Sequence, residues 1–275
     1  MKRSSACSRI ECVSFQWTIQ RGAQSKMADL SAPLIFPGSP DACEIRLLSA
    51  LVMKAVLGDL AGEYARATGH TLAVSLGAAG AVADRIREGE DCDVAIAQKR
   101  VLDALAQQGK IAEGSIVTLA RSGIALAVRK GMAMPVIDTV EALKKSLLAA
   151  RSVAYDDPEM GHASGVHFRG IIERLGIAQA IGSKAKLMKH AVAEFAARDE
   201  AEIVVTQPME ILAAPDYELV GWLPPELQDE DGFTWAAGMG AHAGDPDAAK
   251  ALIRFLSSPE AASVFETRGM LPVAR

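Results

Sequence analysis

The sequence has few of the residues that mark metal sites, disulfide frameworks and base-stacking surfaces. It contains four cysteines in 275 residues, Cys7, Cys12, Cys43 and Cys92, without a Cys-x-x-Cys pair. This spacing indicates neither a zinc site nor a disulfide framework. Aromatic residues make up only 5% of the chain, so a platform on which nucleic-acid bases stack is not expected.

Long runs of one chemical character are also missing. The 34 acidic and 29 basic residues give a net charge of −5, and no block of like charge is long enough to follow a phosphate backbone. No apolar run has the length of a transmembrane segment or a signal peptide. Gly-x-Ser-x-Gly, P-loop and His-Glu-x-x-His motifs are absent as well. We therefore expect no nucleic-acid partner, no metal and no cofactor.

The composition of the first 43 residues differs from that of the rest. Residues 1–26 carry polar or charged residues every few positions, and prolines and glycine then form a loop before the first regular strand. We interpret residues 1–43 as a poorly structured or misannotated extension, with Met27 as an alternative start.

An alternation of strands and helices begins after Cys43. The pattern predicts strands at 44–48, 70–76 and 92–97, with helices at 52–68 and 101–108 among the segments between them. This order is typical of a parallel sheet with right-handed crossovers, in which ligands bind beyond the carboxyl ends of the strands. The small residues Ser49-Ala50 and Gly77-Ala78-Ala79-Gly80 follow two of these strands, where they would allow a ligand to approach the backbone closely.

A second strand, loop and helix unit centres on residues 155–168. Ser164 and Gly165 occupy positions typical of a helix N-cap and first turn, where unpaired backbone N–H groups suit a carboxylate or oxyanion. His162 and His167 lie on either side. A simpler interpretation is that Ser164 only caps the helix and both histidines lie on the surface.

The segment 116–128 is apolar but interrupted by Arg121-Ser122-Gly123, and we interpret it as the passage from one lobe to another. The return is predicted near Phe233. These two points divide the chain into a first lobe of 44–121 plus 233–275 and a second lobe of 122–232.

The order of these motifs resembles the type II periplasmic solute-binding proteins, most nearly the molybdate-binding family. The resemblance covers about residues 44–273 and also rests on Asp91-Cys92-Asp93-Val94-Ala95-Ile96, Leu119-Ala120-Arg121-Ser122, Asp157-Pro158 and the tail around Phe255, Pro259 and Gly269. It implies an α/β fold of two lobes, each a mainly parallel sheet flanked by helices, with the ligand cleft between them.

The same resemblance implies a monomer that closes on a small anion and delivers it to the membrane subunit of an ABC transporter. By position it assigns the ligand-binding loops to Ser49, Ala50, Ala78, Ala79, Ser164 and Gly165. It also implies a periplasmic location, whereas the missing signal peptide leaves a cytoplasmic one open.

Two departures from the family pattern change the expected ligand. Family members commonly have a hydroxyl in the 77–80 loop and a tyrosine where Val205 stands. Each lost donor costs about 1–3 kcal/mol when the ligand's polar atoms are buried. Arg121, Ser122, Thr206 and Gln207 supply other polar groups, and arginine pairs well with carboxylates. We therefore expect a small di- or tricarboxylate rather than molybdate.

Three functional hypotheses follow, and no feature of the sequence tests the last of them, a cytosolic sensor that acts through another protein. The first is a solute-binding protein without catalytic activity. The second is an enzyme on the same scaffold, because aconitate isomerases resemble the same family and interconvert cis- and trans-aconitate by a proton shift. In that case His162 or His167 is the candidate base.

Overall fold

The computed structural model describes residues 32–39, 42–189, 192–196, 201–229 and 233–273. Most of the predicted N-terminal extension, including Met27, lies outside the described residues.

The described ranges fold into twelve strands and ten α-helices. The strands are β1 Leu34–Phe36, β2 Glu44–Ala50, β3 Thr71–Gly77, β4 Val94–Gln98, β5 Val117–Arg121, β6 Ala125–Arg129, β7 Val153–Asp156, β8 Ala185–Met188, β9 Ile203–Thr206, β10 Tyr217–Trp222, β11 Thr234–Met239 and β12 Leu271–Pro272. The helices are α1 Lys54–Thr68, α2 Ala79–Arg87, α3 Lys99–Gln107, α4 Val140–Ala149, α5 Ala163–Arg174, α6 Ala178–Gly182, α7 Val192–Ala196, α8 Pro208–Leu212, α9 Pro246–Leu256 and α10 Pro259–Thr267. None of these helices combines the length and apolar character needed to cross a membrane.

The strands form two sheets. The first has the order β1-β3-β2-β4-β11-β5-β12 and the second the order β10-β6-β9-β7-β8. Parallel pairs form the centre of each, β3-β2-β4 in the first and β9-β7-β8 in the second. The predicted two-lobed α/β fold is confirmed, and the sheets are mixed because other strands, including β6 and β11, pair antiparallel with their neighbours.

The chain passes between the sheets at two adjacent places. Residues 122–124 join β5 to β6, and the Ser122 backbone N–H donates to the Phe233 carbonyl just before β11, at 2.8 Å. The Gln228 side chain accepts from the Ile124 N–H and donates to the Ile124 and Leu223 carbonyls, each at 2.9 Å. Both crossings are therefore tied together by main-chain and amide hydrogen bonds.

Each sheet is covered by apolar side chains on both faces. In the first sheet, α1, α9 and α10 cover one face around Tyr64, Trp235 and Phe265, and α2 and α3 cover the other. In the second, α4, α5 and α6 pack on one face and α7 and α8 on the other. Burial of these faces is the main source of stability in such layered folds.

Three strands and two helices were not predicted. β1, β8 and β12 and the short helices α6 and α8 have only two to five residues each, too few to show a hydrophobic period. Helix α7 is described only over Val192–Ala196, and the residues on either side of it, including His190, lie outside the described residues.

Gly165 sets how closely α5 approaches β7. A Cβ built on Gly165 would lie 2.1 Å from the Asp156 carbonyl oxygen, whereas one built on Gly170 of the same helix would have no heavy atom within 4 Å. A backbone oxygen cannot move aside as a flexible side chain can, so α5 requires glycine at this point.

We predict opposite effects of alanine at these two positions. Gly165→Ala should lower the free energy of unfolding by about 1–3 kcal/mol or more, since overpacking forces helix and strand apart. Gly170→Ala should raise it by about 0.5–1 kcal/mol, because glycine is a poor helix former. Equilibrium denaturation by urea measures both. Equal stability of the two variants would contradict the close approach.

Candidate functional site

Four helical segments begin at one cleft between the two sheets. Residues 51–53 form a short 3₁₀ turn that leads into α1, and α2 begins after Ala78. On the other side α5 begins after His162 and α8 after Gln207. The two starts in the first lobe are neighbours because β2 and β3 are paired, with Ala50 opposite Gly77 at the carboxyl ends of these strands.

None of these four starts is capped by a side chain. Ala50, Ala78, His162 and Gln207 are the N-cap residues, and each lacks a side-chain hydrogen bond to the helix. By contrast, Thr139, Asp245 and Ser258 cap α4, α9 and α10. Uncapped N–H groups and the helix dipole make the starts of α2, α5 and the turn before α1 attractive to an anion, whereas α8 has five residues and begins with a proline, which has no N–H.

The cleft is lined equally from both sides. It holds about 340 Å³ of empty space, a volume that includes its open mouth. Its lining consists of Ala50, Leu51, Val52, Ala78 and Trp235 from the first lobe and His162, Ala163, Ser164, Gln207 and Glu210 from the second.

A buried carboxyl group organises the second-lobe wall. Asp156, at the end of β7, is 4% exposed. Its Oδ2 accepts from the Ser164 hydroxyl at 2.5 Å and from the Thr206 hydroxyl at 2.7 Å. Thr206 Oγ1 also makes a short hydrogen bond with Glu210 Oε2. The four side chains therefore form one continuous chain that ends at the cleft with Glu210.

Burial governs the ionisation of both carboxyl groups. Burial raises the pKa of Glu210 to about 8, and the neighbouring Asp156 charge adds to this shift, although the bond from Thr206 opposes it. Burial also raises the pKa of Asp156, while the two hydroxyl donors and the His162 charge work in the opposite direction. The wall therefore holds a titratable proton near neutral pH.

Two buried polar atoms in the lining have no hydrogen-bond partner in the described part of the chain. They are Trp235 Nε1 and Gln207 Oε1, on residues that are 1% and 4% exposed. Such atoms are costly to leave unpaired. A ligand that accepts from Trp235 and donates to Gln207 would satisfy both.

The structure brings five of the predicted site residues together in the lining. They are Ala50, Ala78, His162, Ser164 and Gln207. Thr206 and Gly165 lie directly behind this lining. Thr206 bonds to Asp156, and Gly165 contacts β7.

Other predicted residues lie elsewhere in the described structure. Ser49 is fully buried, and its hydroxyl donates to the Ala50 carbonyl at 3.3 Å. Arg121 is exposed at the end of β5, and Ser122 lies buried at the lobe crossing with its hydroxyl 3.9 Å from Met209 Sδ. His167 donates from Nε2 to the Leu227 carbonyl at 2.7 Å and packs edge-on against Phe233. Ala79 is the first residue of α2.

Sequence reasoning missed Asp156, Glu210 and Trp235. Asp156 lies within the unit 155–168 at the end of β7, and Glu210 is four residues after Thr206. These two positions carried a weak signal. Trp235 carried none, because an indole in an apolar strand is indistinguishable from a core residue until the fold is known.

The family model for bacterial extracellular solute-binding proteins matches residues 45–271. The chain belongs to this family.

The proteins similar to this chain include an enzyme and substrate-binding proteins. An aconitate isomerase from a Pseudomonas species is 33% identical over 236 residues, which cover 83% of this chain and 88% of that protein. The periplasmic molybdate-binding protein of Azotobacter vinelandii superimposes with a TM-score of 0.67 at 19% identity, over 84% of this chain and all of that one. The substrate-binding protein of an ABC transporter from Agrobacterium tumefaciens gives a TM-score of 0.70 at 14% identity, over 88% and 85% of the two chains.

The two structural likenesses show the shared fold. The resemblance inferred from the sequence motifs is confirmed.

The raised pKa of Glu210 predicts a specific pH dependence of stability. A carboxyl group that holds its proton more tightly when folded stabilises the fold fully below its unfolded pKa, and this contribution is lost as the pH rises toward the folded pKa. The unfolded value is near 4.5 and the folded value about 8. Stability should therefore decline across this interval.

Glu210→Gln removes the titration and should flatten the curve. Thermal melts between about pH 5 and about pH 9 should show a smaller decrease in Tm for the variant than for the unchanged protein. Glu218→Gln, at an exposed position of β10, is the matched control and should follow the unchanged protein. Parallel curves for all three proteins would contradict the assignment.

Proposed function

We propose that this protein is an isomerase of a small unsaturated tricarboxylate, interconverting the cis and trans forms of aconitate. The observation that carries the proposal is the position of acid–base groups, His162 and Glu210, in the same small cleft as four uncapped helix starts. The aconitate isomerase relative at 33% identity supports it. The site geometry therefore favours the enzyme over the solute-binding protein, which was the first hypothesis drawn from the sequence.

The helix starts supply the binding energy for the carboxylates. Backbone N–H groups after Ala50 and Ala78 approach from the first lobe, and those after His162 approach from the second. The unpaired Trp235 indole N–H offers one more donor. Donors from both lobes would hold a polycarboxylate across the cleft and favour closure around it.

The chemistry is a 1,3 shift of a proton. The neutral imidazole of His162 takes a proton from the substrate methylene carbon, and the electrons of that C–H bond form the new double bond. The old double bond then takes up a proton at its far carbon. No net oxidation occurs, and the carboxylate held by N–H donors absorbs the charge that develops on the intermediate.

We predict that the two flanking histidines differ in their importance. His162→Ala should lower kcat for trans-aconitate by about 10²- to 10⁴-fold, the usual contribution of a general base. His167→Ala should lower Tm by removing the bond to Leu227, and should retain turnover. Proton NMR of the aconitate isomers measures conversion directly.

His242→Ala, at an exposed position in the first lobe, is the matched control. Full activity of His162→Ala, or loss of activity only in His167→Ala, would refute the role of His162. Absence of turnover by the unchanged protein would refute the enzymatic proposal itself.

A second candidate is a solute-binding protein for ABC-type uptake. The family match and the paired crossings between two lobes favour it, because hinged closure around a solute is the common property of such proteins. Here the ligand is a small carboxylate, and the acid–base groups bind a partly protonated form of it.

A thermal-shift screen tests which compounds bind, because both candidate functions require a bound carboxylate. Aconitates or citrate should raise Tm, since ligand at about a hundredfold excess over Kd stabilises the folded state by about 2.7 kcal/mol. Trp235→Phe keeps an aromatic ring, although a smaller one, and removes the donor, so its ligand-induced shift from its own unliganded Tm should be smaller. A shift with molybdate or tungstate alone would contradict the carboxylate assignment, and a shift with aconitate without turnover would establish the second candidate.

A further inference from the structure

The hydroxyl of Thr206 lies between two carboxyl groups. Its Oγ1 is 2.7 Å from Asp156 Oδ2 and within hydrogen-bond distance of Glu210 Oε2. A threonine hydroxyl carries a single hydrogen. It can therefore donate to only one of the two carboxyl oxygens, and the other contact requires a proton on a carboxyl group.

The surroundings decide which carboxyl group holds that proton. Asp156 accepts from two hydroxyl groups, Ser164 and Thr206, and both bonds favour its anionic form. Glu210 has one hydroxyl neighbour and faces the Asp156 charge. The consistent arrangement is protonated Glu210 donating to Thr206, which donates to the Asp156 carboxylate.

We propose that Glu210 is a catalytic acid of the isomerisation, giving its carboxyl proton to the carbon at the far end of the old double bond, and that Thr206 positions it. This inference rests on the proposed function. Glu210 lines the cleft together with His162, so one group can remove a proton while the other supplies one.

The proposed step balances without another reactant. The Glu210 O–H bond breaks as the new substrate C–H bond forms, leaving a Glu210 carboxylate and an imidazolium at His162. The Thr206 hydroxyl then turns from Asp156 to the new carboxylate, and Asp156 keeps the bond from Ser164. Transfer of one proton from His162 back to Glu210 restores both groups for the next turnover.

Other ionisable groups lie on the strands packed against α8. Arg129 is on β6, and Tyr217 and Glu218 are on β10. The Tyr217 hydroxyl donates to the Ala201 carbonyl at 3.1 Å and Glu218 is exposed. Asp156 from β7 is the charged neighbour that acts on Glu210, so the pair Asp156 and Glu210 sets the alkaline limit of activity.

The test follows trans-aconitate by proton NMR in D₂O, which reports two events separately. Exchange of the methylene hydrogens for deuterium reports proton removal, and appearance of the other isomer reports proton delivery. Glu210→Gln should lower the rate of conversion by about 10²- to 10⁴-fold while methylene exchange continues. His162→Ala should lose both, and Glu218→Gln should resemble the unchanged protein.

The pH profile of activity is a second measurement, and a purely structural role of Glu210 and Thr206 would leave it unchanged. In the unchanged protein kcat/KM should fall above about pH 8 as Glu210 loses its proton. Thr206→Val removes the hydroxyl that donates to the Glu210 carboxylate once its proton has left and thereby lowers the Glu210 pKa, so this limb should move to higher pH.

Conversion by Glu210→Gln at nearly the normal rate would overturn the inference and leave the proposed isomerase intact. Loss of methylene exchange together with conversion in a folded Glu210→Gln protein would also overturn it. An unchanged alkaline limb in Thr206→Val would overturn the positioning role. An inactive parent protein would instead refute the proposed function.

Discussion

The buried carboxyl group of Asp156 is the interaction on which the second-lobe side of the cleft depends. A carboxylate that is only 4% exposed lowers the stability of the fold unless its oxygens are hydrogen-bonded. Ser164 and Thr206 meet this need, and in doing so they fix the first turn of α5 and the junction between β9 and α8. Both helix starts, and the Glu210 side chain beyond them, are therefore held in one arrangement by a single buried group.

The same arrangement combines attraction for an anion with a proton supply. Two carboxyl groups in an anion-binding cleft would repel an anionic ligand if both were charged. Retention of a proton on Glu210, which its raised pKa favours, would reduce this repulsion and, in the proposed function, place an acid at the ligand. The hydroxyl that donates to Asp156 is no longer free to donate to a bound oxyanion, which distinguishes Ser164 here from a simple serine ligand.

The proposed function would mean that a solute-binding scaffold has acquired catalysis with few changes. Helix starts and hinged lobes already provide binding and closure, which are the positioning part of catalysis. In the proposed isomerase, the alanines of the 77–80 loop leave out hydroxyl donors that would favour an oxyanion, and His162 and Glu210 are the groups that move protons. The fold alone does not decide between a binder and an enzyme, because function depends on the side chains at the site.

The sequence by itself determined the α/β class, the two-lobed architecture and the loops that carry the cleft, because helical periodicity, buried strands and helix starts are local properties of the chain. It also pointed to His162, Ser164 and Gln207. Only the tertiary structure decided that His167 bonds to Leu227, that Arg121 is exposed, and that hydrogen bonds join Asp156, Thr206 and Glu210. These facts depend on contacts between residues up to 60 positions apart, and a carboxyl group acquires its ionisation behaviour from such neighbours and from burial rather than from its place in the chain.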